Sequence, residues 1–204
     1  MASFHDTPMI DTEKRSASIH HPVAGLIAER RSTRAYSSRP LEQDTLISLF
    51  EAVRWAPSSS NEQPWYYLYA TTEQTELRER LTEVLASANQ VWASKAPVLI
   101  LSLARVTHLR DGRPNPYAFY DVGAANALLS LQAVELGLQV RQMGGFDKVK
   151  AKESLNIPVG LEPVVIIAVG YPGDAVQLPE ALQAREAAPR ERYLQETFVR
   201  NVPF

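Results

Sequence analysis

Apolar residues recur every three or four positions in six segments of the chain, a period that is typical of helices with one buried face. The predicted helices cover residues 22–31, 44–55, 71–85, 87–95, 117–136 and 147–155. Four shorter segments are rich in β-branched and aromatic residues, which predicts strands at 65–70, 98–103, 139–143 and 164–169. Helices and strands therefore alternate, with connections of varying length. This pattern predicts an α+β fold in which helices flank a mixed β-sheet.

The predicted helix 117–136 is apolar around most of its circumference. Its apolar residues include Val122, Ala124, Ala125, Ala127, Leu128, Leu129, Leu131, Ala133 and Val134. A helix of this kind is buried, and one small sheet cannot cover all of its surface, so we expect it to form the centre of an interface between subunits. Tyr117, Phe119 and Tyr120 begin this helix beside the polar loop 105–116, and one of them is a candidate for lining a substrate pocket.

The two ends of the chain lack the pattern of a folded core. Residues 1–20 are polar and mixed in charge, and we expect a flexible tail there. Residues 21–204 are predicted to form a single domain, in which the segment from about residue 171 carries several prolines and no long apolar pattern. Such a segment cannot build a core of its own, so we expect an arm that lies on a surface or is disordered.

Composition narrows the chemistry that the chain can perform. Its 204 residues suit one domain, and a net charge of −2 gives no reason to expect binding to nucleic acid. There are no cysteines, and His20 and His21 have no further ligand at a supporting spacing, so we expect no metal site. Redox chemistry would need a bound organic cofactor or a metal held by other ligands. There is no secretory signal and no apolar run long enough to span a membrane, so we expect a cytoplasmic protein.

The first candidate for ligand binding lies just past the first predicted helix. It places three guanidinium groups and two hydroxyls within five residues, namely Arg30, Arg31, Ser32, Thr33 and Arg34. A guanidinium group can donate two parallel hydrogen bonds to two phosphate oxygens, and a hydroxyl adds a neutral donor. The alternative is a solvated basic end of a helix, which the helix dipole favours.

Two further motifs follow along the chain. The loop 57–65 has the sequence Pro-Ser-Ser-Ser-Asn-Glu-Gln-Pro-Trp, which lets the backbone approach a flat ring closely. Gly144 and Gly145 follow a predicted strand, and glycines free backbone N–H groups to face a ligand. The alternatives are an ordinary polar turn for the loop and a strand-to-helix turn, with Asp147 as the cap, for the glycine pair.

Taken together, these motifs resemble those of the nitroreductase family. The arginine cluster, a Ser-Ser-x-Asn-x-Gln-Pro-Trp loop about 25 residues later and a late Gly-Gly-Phe-Asp sequence carry the resemblance, which spans Leu26 to about Arg192. It implies a nitroreductase-like fold with three layers, α/β/α, and an intertwined homodimer. It also implies that FMN binds at two sites in the subunit interface.

The resemblance assigns a place at the cofactor to particular residues. Arg30 and Ser32 would contact the phosphate or the ribityl chain, and Arg34 the pyrimidine edge or the phosphate. The other residues of the implied site are Arg31, Pro57, Ser58, Ser59, Asn61, Asn89, Met143, Gly144, Gly145, Arg190 and Arg192.

Apart from Arg31 and Met143, these other residues fall into four groups. The partner subunit would lay the segment with Pro57, Ser58, Ser59 and Asn61 against the flavin ring. Asn89 would lie near the pyrimidine. The backbone of the Gly144–Gly145 pair would face N5 and O4, and the basic pair near the C-terminus would bind the phosphate.

The implied activity is a ping-pong oxidoreduction. Members of the family oxidise NADH or NADPH on FMN and reduce a second substrate, for which nitroaromatics and quinones are electron-poor examples. Two alternatives stay open, namely a flavin-binding carrier or sensor without turnover, and a member that uses FMN to dehydrogenate a substrate. Some members have Glu where this chain has Gly144, and the loop 105–116 is short in this chain. The identity of the electron acceptor therefore cannot be inferred from other members of the family.

Overall fold

The computed structural model describes residues 19–203, and their strands form one sheet. The strands are β1 (Trp65–Ala70), β2 (Val98–Arg105), β3 (Gln139–Met143) and β4 (Leu161–Gly170), in the order β1-β2-β4-β3. Every neighbouring pair is antiparallel. The sheet of the described residues is thus antiparallel throughout rather than mixed, because alternating helices and strands along a sequence do not fix strand direction.

Seven α-helices accompany these strands in the described part of the chain. They are α1 (Gly25–Glu29), α2 (Gln43–Arg54), α3 (Thr75–Glu83), α4 (Ser87–Ala93), α5 (Ala118–Glu135), α6 (Lys148–Ser154) and α7 (Glu180–Ala187). None of the helices within residues 19–203 is long and apolar enough to cross a membrane.

The sheet lies between two helical layers. Side chains of β2 alternate between its faces, so that Ile100 packs with α2 and α5, whereas Leu99 and Leu101 pack with α3 and α4. All eight residues of β2 are buried, which requires that both faces be covered. The core therefore consists of two apolar layers on a central sheet, as the implied three-layer arrangement requires.

Three of the boundaries that differ from the sequence prediction have an identifiable local reason. Strand β4 begins three residues earlier than predicted, because Pro163 pairs at a β-bulge next to Leu103, where its missing N–H is tolerated. Helix α3 begins at Thr75 rather than at residue 71, because residues 71–74 form a turn in which the Thr71 N–H donates to Gln74 Oε1 at 2.9 Å. Helix α1 has only five residues, since the chain turns extended at Arg30.

Helix α5 is buried on one side only in the single subunit. Residues such as Val122, Ala125 and Leu129 are fully covered, whereas Phe119 and Tyr120 are exposed. The predicted all-round burial is therefore incomplete within one chain. An apolar side of α5 is left open to a partner.

The segment after residue 170 contains more structure than the sequence predicted. It includes helix α7, and Leu178 and Glu186 are buried against the rest of the subunit. The arm with large exposed apolar residues begins only near Tyr193 and includes Phe198 and Val202. Pro179 and Pro189 flank α7, and no proline lies inside it, so the prolines of this segment did not prevent a helix.

Candidate cofactor site

The arginine segment that follows α1 is fixed by contacts to the sheet. Arg141 of β3 donates from Nη1 to the Ser32 carbonyl oxygen at 2.6 Å. The buried Tyr36 hydroxyl lies 3.3 Å from the Thr33 carbonyl oxygen and 3.2 Å from that of Ala168 in β4. The segment is thereby attached to the strands in an extended conformation, and it is not a frayed helix end.

The segment lines a cationic pocket of about 320 Å³. Seven arginines and one glutamate line it, namely Arg30, Arg31, Arg34, Arg141, Arg185, Arg190, Arg192 and Glu186. The lining side chains therefore carry seven positive charges and one negative charge. Such a concentration of guanidinium groups in one cavity is typical of a phosphate site.

The predicted basic pair near the C-terminus does reach the arginine segment. Arg190 donates from Nη1 to the Arg30 carbonyl oxygen at 2.9 Å, and its buried Nε has no hydrogen-bond partner in the described structure. Arg192 lines the same pocket. The structure thus brings together residues that lie 160 positions apart in the sequence.

Burial and mutual repulsion act on these arginines in the same direction. Burial lowers the pKa of Arg30, and the neighbouring Arg192 lowers it further. Burial likewise lowers the pKa of Arg190, with added repulsion from Arg31, Arg30 and Arg192. An anion in this pocket would relieve both effects, because it stabilises the charged form of each guanidinium.

Three charged lining residues, Arg141, Arg185 and Glu186, were missed by the sequence analysis. Arg141 lies in the middle of β3, where a strand pattern gives no sign of a ligand contact. Glu186 lies on α7, a helix that was not predicted, and it accepts from the Arg34 backbone N–H at 3.0 Å and from Arg34 Nη1 at 3.3 Å. Only the excess of arginines in the segments 30–34 and 185–192 could have indicated this grouping.

The glycine pair lies at the end of the strand that carries Arg141. Gly144 follows β3 directly, about 10 Å beyond Arg141 at the rise of a strand. The Gly145 carbonyl oxygen accepts from Asn89 Nδ2 at 3.2 Å and from the Ala86 N–H at 3.0 Å. Asn89 is therefore held beside the glycine pair.

A second cavity of about 300 Å³ adjoins the cationic pocket and shares Arg30 and Ser32 with it. It runs along β3 and the half-exposed side of α5, and its other lining residues are Ala127, Ser130, Leu131, Val140 and Gln142. Gln142 donates from Nε2 to Ser130 Oγ at 3.1 Å. The polar pocket thus continues into a less polar cavity on the side of α5 that is open.

The serine-rich loop lies elsewhere in the subunit. It precedes β1, whereas Arg141 and Gly144 belong to β3 and its end. Strands β2 and β4 lie between these two edges, which places β1 and β3 about 14 Å apart. The residues Pro57, Ser58, Ser59 and Asn61 are therefore at the opposite edge of the sheet from the arginine pocket of the same chain.

The three aromatic residues at the start of α5 do not line the cavities described above. Tyr117, Phe119 and Tyr120 are 54%, 49% and 79% exposed. They lie near the serine-rich loop, because Asp121 of the same helix turn accepts a hydrogen bond from the Ser59 N–H.

The described residues thus form a three-layer α+β domain with an arginine-lined pocket against β3. The model of the nitroreductase family matches residues 27–171. A solved structure described as an oxidoreductase containing FMN is 32% identical with a TM-score of 0.84, and the match covers 91% of this chain and 95% of that one. The chain belongs to the nitroreductase family.

Other relatives agree in fold and family. An FMN reductase (NAD(P)H) from Bacillus subtilis is 25% identical over 187 residues, which is 83% of this chain and 74% of that protein. The solved structure of a nitroreductase family protein from Clostridium difficile has a TM-score of 0.69 at 24% identity, with 88% of this chain and 97% of that chain covered. The predicted α+β nitroreductase-like fold is confirmed.

Proposed function

We propose that this protein is an FMN-dependent oxidoreductase that takes electrons from NADH or NADPH. The observation that carries the proposal is the alignment along β3 of the seven-arginine pocket, the adjoining cavity and the Gly144–Gly145 pair. The relatives named as an FMN reductase and as an oxidoreductase containing FMN support the same cofactor.

The residues present fit FMN in their charge and in their arrangement along β3, with arginines at one end for the phosphate and the glycine pair at the other for the ring. The phosphate would occupy the arginine pocket, where Arg30, Ser32, Arg190 and Arg192 supply donors. The buried and unpartnered Nε of Arg190 is a donor that an anion would satisfy. The sequence has no Gly-rich turn for an adenosine group, which favours FMN over FAD.

The other end of the site suits a flat polar ring. Gly144 and Gly145 are exposed, and their carbonyl oxygens accept bonds from the protein, so that their N–H groups can face the ring. Asn89 stands beside them. Bound FMN would supply the redox chemistry, in which it accepts hydride from the nicotinamide and passes the electrons on to a second substrate. The residues of the chain would bind FMN, orient the substrates against its ring and exclude water from the site.

The site is completed, in this proposal, by a second copy of the chain. The loop with Pro57, Ser58, Ser59 and Asn61 lies across the sheet from its own arginine pocket, so it serves the pocket of a partner. The open side of α5 adjoins the second cavity and offers the surface on which the partner would pack. We therefore propose an obligate homodimer with two equivalent sites.

An electron-poor acceptor such as a nitroaromatic or a quinone would bind in the slot that the nicotinamide leaves. A ping-pong reaction follows from this shared slot, since the two substrates cannot occupy it together. Steady-state rates of NADH or NADPH oxidation, measured at several concentrations of a nitroaromatic and of a quinone, should give parallel double-reciprocal lines. Reduction of bound flavin without turnover on any acceptor would instead support a carrier or sensor.

A further inference from the structure

The serine-rich loop has an unusual backbone. Ser60, Asn61 and Gln63 have φ values of 53°, 54° and 47°, in the left-handed region that favours glycine. None of these residues is glycine, and a serine or a glutamine adopts this conformation only at a cost. Hydrogen bonds within the loop, such as that from the Gln63 N–H to Ser58 Oγ at 3.0 Å, and contacts from outside it together offset this cost.

One of these contacts comes from α5. Asp121, which is 2% exposed, accepts a hydrogen bond through Oδ2 from the Ser59 N–H at 3.1 Å. The bond reaches the backbone one residue before the first left-handed residue. A hydrogen bond between a buried carboxylate and a backbone N–H is among the stronger ones in proteins.

A second contact comes from the end of β2. The largely buried Arg105 donates from Nη2 to the Glu62 carbonyl oxygen at 2.7 Å and to Glu62 Oε2 at 3.2 Å. Glu62 lies between the left-handed residues Asn61 and Gln63. Its carboxylate also accepts from the Leu109 N–H at 3.2 Å, which ties the loop to the segment 105–116.

These contacts approach the loop from inside the subunit, and the tip of the loop faces outward. The side chains of Ser60 and Asn61 are exposed, whereas the anchors at Ser59 and Glu62 are drawn inward. A loop held in this way keeps its shape before a ligand arrives, so binding does not need to order it.

We propose that Asp121 and Arg105 are positioning residues that hold the loop 58–63 in its left-handed conformation for the FMN of the partner subunit. Neither residue touches the cofactor in this arrangement. The inference rests on the proposed function, since it needs FMN and a partner subunit. It adds that the affinity of one subunit for FMN depends on a buried carboxylate in the other.

A glycine variant separates this role from a general loss of stability. Ser60→Gly removes the steric cost of the left-handed conformation, so the loop should need its anchors less. If Asp121 acts through the loop, Ser60→Gly should partly rescue Asp121→Ala. Ser60→Ala is the matched control, since alanine keeps the Cβ that causes the strain and should give no rescue.

The experiment is a fluorescence titration of FMN into each apoprotein, together with the visible circular dichroism of the bound flavin. Asp121→Ala should weaken FMN binding about tenfold and change the dichroism. Asp121→Asn, which keeps an acceptor oxygen, should lie closer to the wild type. Ala133→Gly, a change at a buried position of α5 about three turns from Asp121, should lower thermal stability and leave FMN affinity unchanged.

The outcomes separate the two proposals. A wild-type protein that fails to bind FMN would refute the proposed function itself. A wild type that binds FMN, with Asp121→Ala equally tight, would refute only the positioning role. The role is also refuted if Ser60→Gly gives no rescue. Should Asp121→Ala not fold, Arg105→Lys serves the same comparison, since lysine cannot reproduce the paired donation to Glu62, and its weaker binding should likewise be rescued by Ser60→Gly.

Discussion

Glu186 on α7 binds Arg34 twice, through the backbone N–H at 3.0 Å and through Nη1 at 3.3 Å. Both side chains are largely buried, with 6% and 13% of their surfaces exposed. This pair joins a helix near the C-terminus to the arginine segment near the N-terminus. It also provides the one negative charge among the residues that line the cationic pocket.

The pair leads to a prediction for stability. Glu186→Ala would leave Arg34 buried among other arginines without its counter-charge, which should cost about 3 kcal/mol. For a domain of this size, the midpoint of thermal unfolding should fall by roughly 6–12 °C in the protein without FMN. Glu180→Gln, on an exposed position of the same helix, is the control and should change the midpoint little. A midpoint that is unchanged in Glu186→Ala would contradict the role of the pair.

The arginine pocket leads to a prediction for cofactor affinity. In the proposed site, Arg30→Ala removes one charge-assisted contact to the FMN phosphate, which is worth roughly 1.5–3 kcal/mol. FMN affinity should therefore fall by about one to two decades, and the fold should be kept. Arg54→Ala makes the same change of charge at a solvent-exposed ion pair with Glu51 and should bind FMN as the wild type does. Equal affinities in all three proteins would refute the assignment of the pocket.

Much of this fold could be predicted from the sequence, since periodic apolar residues set the elements. Strand β1 and strand β3 have the predicted bounds, and α5 differs from its prediction by one residue at each end. Strand direction could not be predicted, because it depends on how crossovers pack. The start of β4 was predicted too late because Pro163 disfavours a strand in the sequence pattern. The bulge that accommodates Pro163 is formed with Leu103, 60 residues away.

The sequence predicted some residues of the candidate site and not others, because only residues in local motifs can be recognised from sequence. Motifs of adjacent residues, such as the arginine segment and the Gly144–Gly145 pair, are visible in the sequence. Arg141 and Glu186 join the site only through tertiary packing, and neither lies in a local motif. The separation of the serine-rich loop from the pocket follows from the order of the strands in the sheet. That order cannot be predicted from local sequence patterns.

A prediction for pH dependence follows from Glu62. The hydrogen bond from the Leu109 N–H is the main cause that lowers the pKa of Glu62 in the folded protein, and His108 and Arg105 add to it. A lowered folded pKa means that the ionised group stabilises the fold above its unfolded pKa, near 4.3, and that this stabilisation is lost as the pH falls towards the folded pKa.

The measurement compares the wild type with Glu62→Gln by thermal unfolding between about pH 7 and pH 3, a range that spans this titration. The wild type should be the more stable at neutral pH, and the difference between the two midpoints should shrink below about pH 4. The proposal for Glu62 is wrong if the difference stays constant over this range or grows on acidification.

The open side of α5 leads to a prediction for assembly. A Cβ placed on Gly123 meets no atom within 4 Å in the single subunit, so Gly123→Glu should be harmless to the subunit itself. It should nevertheless separate the proposed homodimer, because it would place a charge in the apolar contact that we propose between the subunits. Sedimentation should show a species of about 22.7 kDa in place of one twice that mass.

The control for this prediction adds the same charge on the other helical layer. Val149→Glu changes an exposed residue of α6 and should leave the dimer intact. If Gly123→Glu sediments as the wild-type dimer does, α5 is not at the centre of the interface.

The visible spectrum of the purified protein, recorded without oxygen before and after addition of NADH or NADPH, tests the central claim most directly. The account predicts a yellow protein that releases FMN on denaturation and whose flavin absorbance is lost when the reduced nicotinamide is added. A colourless protein that does not take up added FMN, or one that releases FAD, would contradict the cofactor assignment. A yellow protein that keeps its colour with both nicotinamides would contradict the proposed oxidoreductase activity.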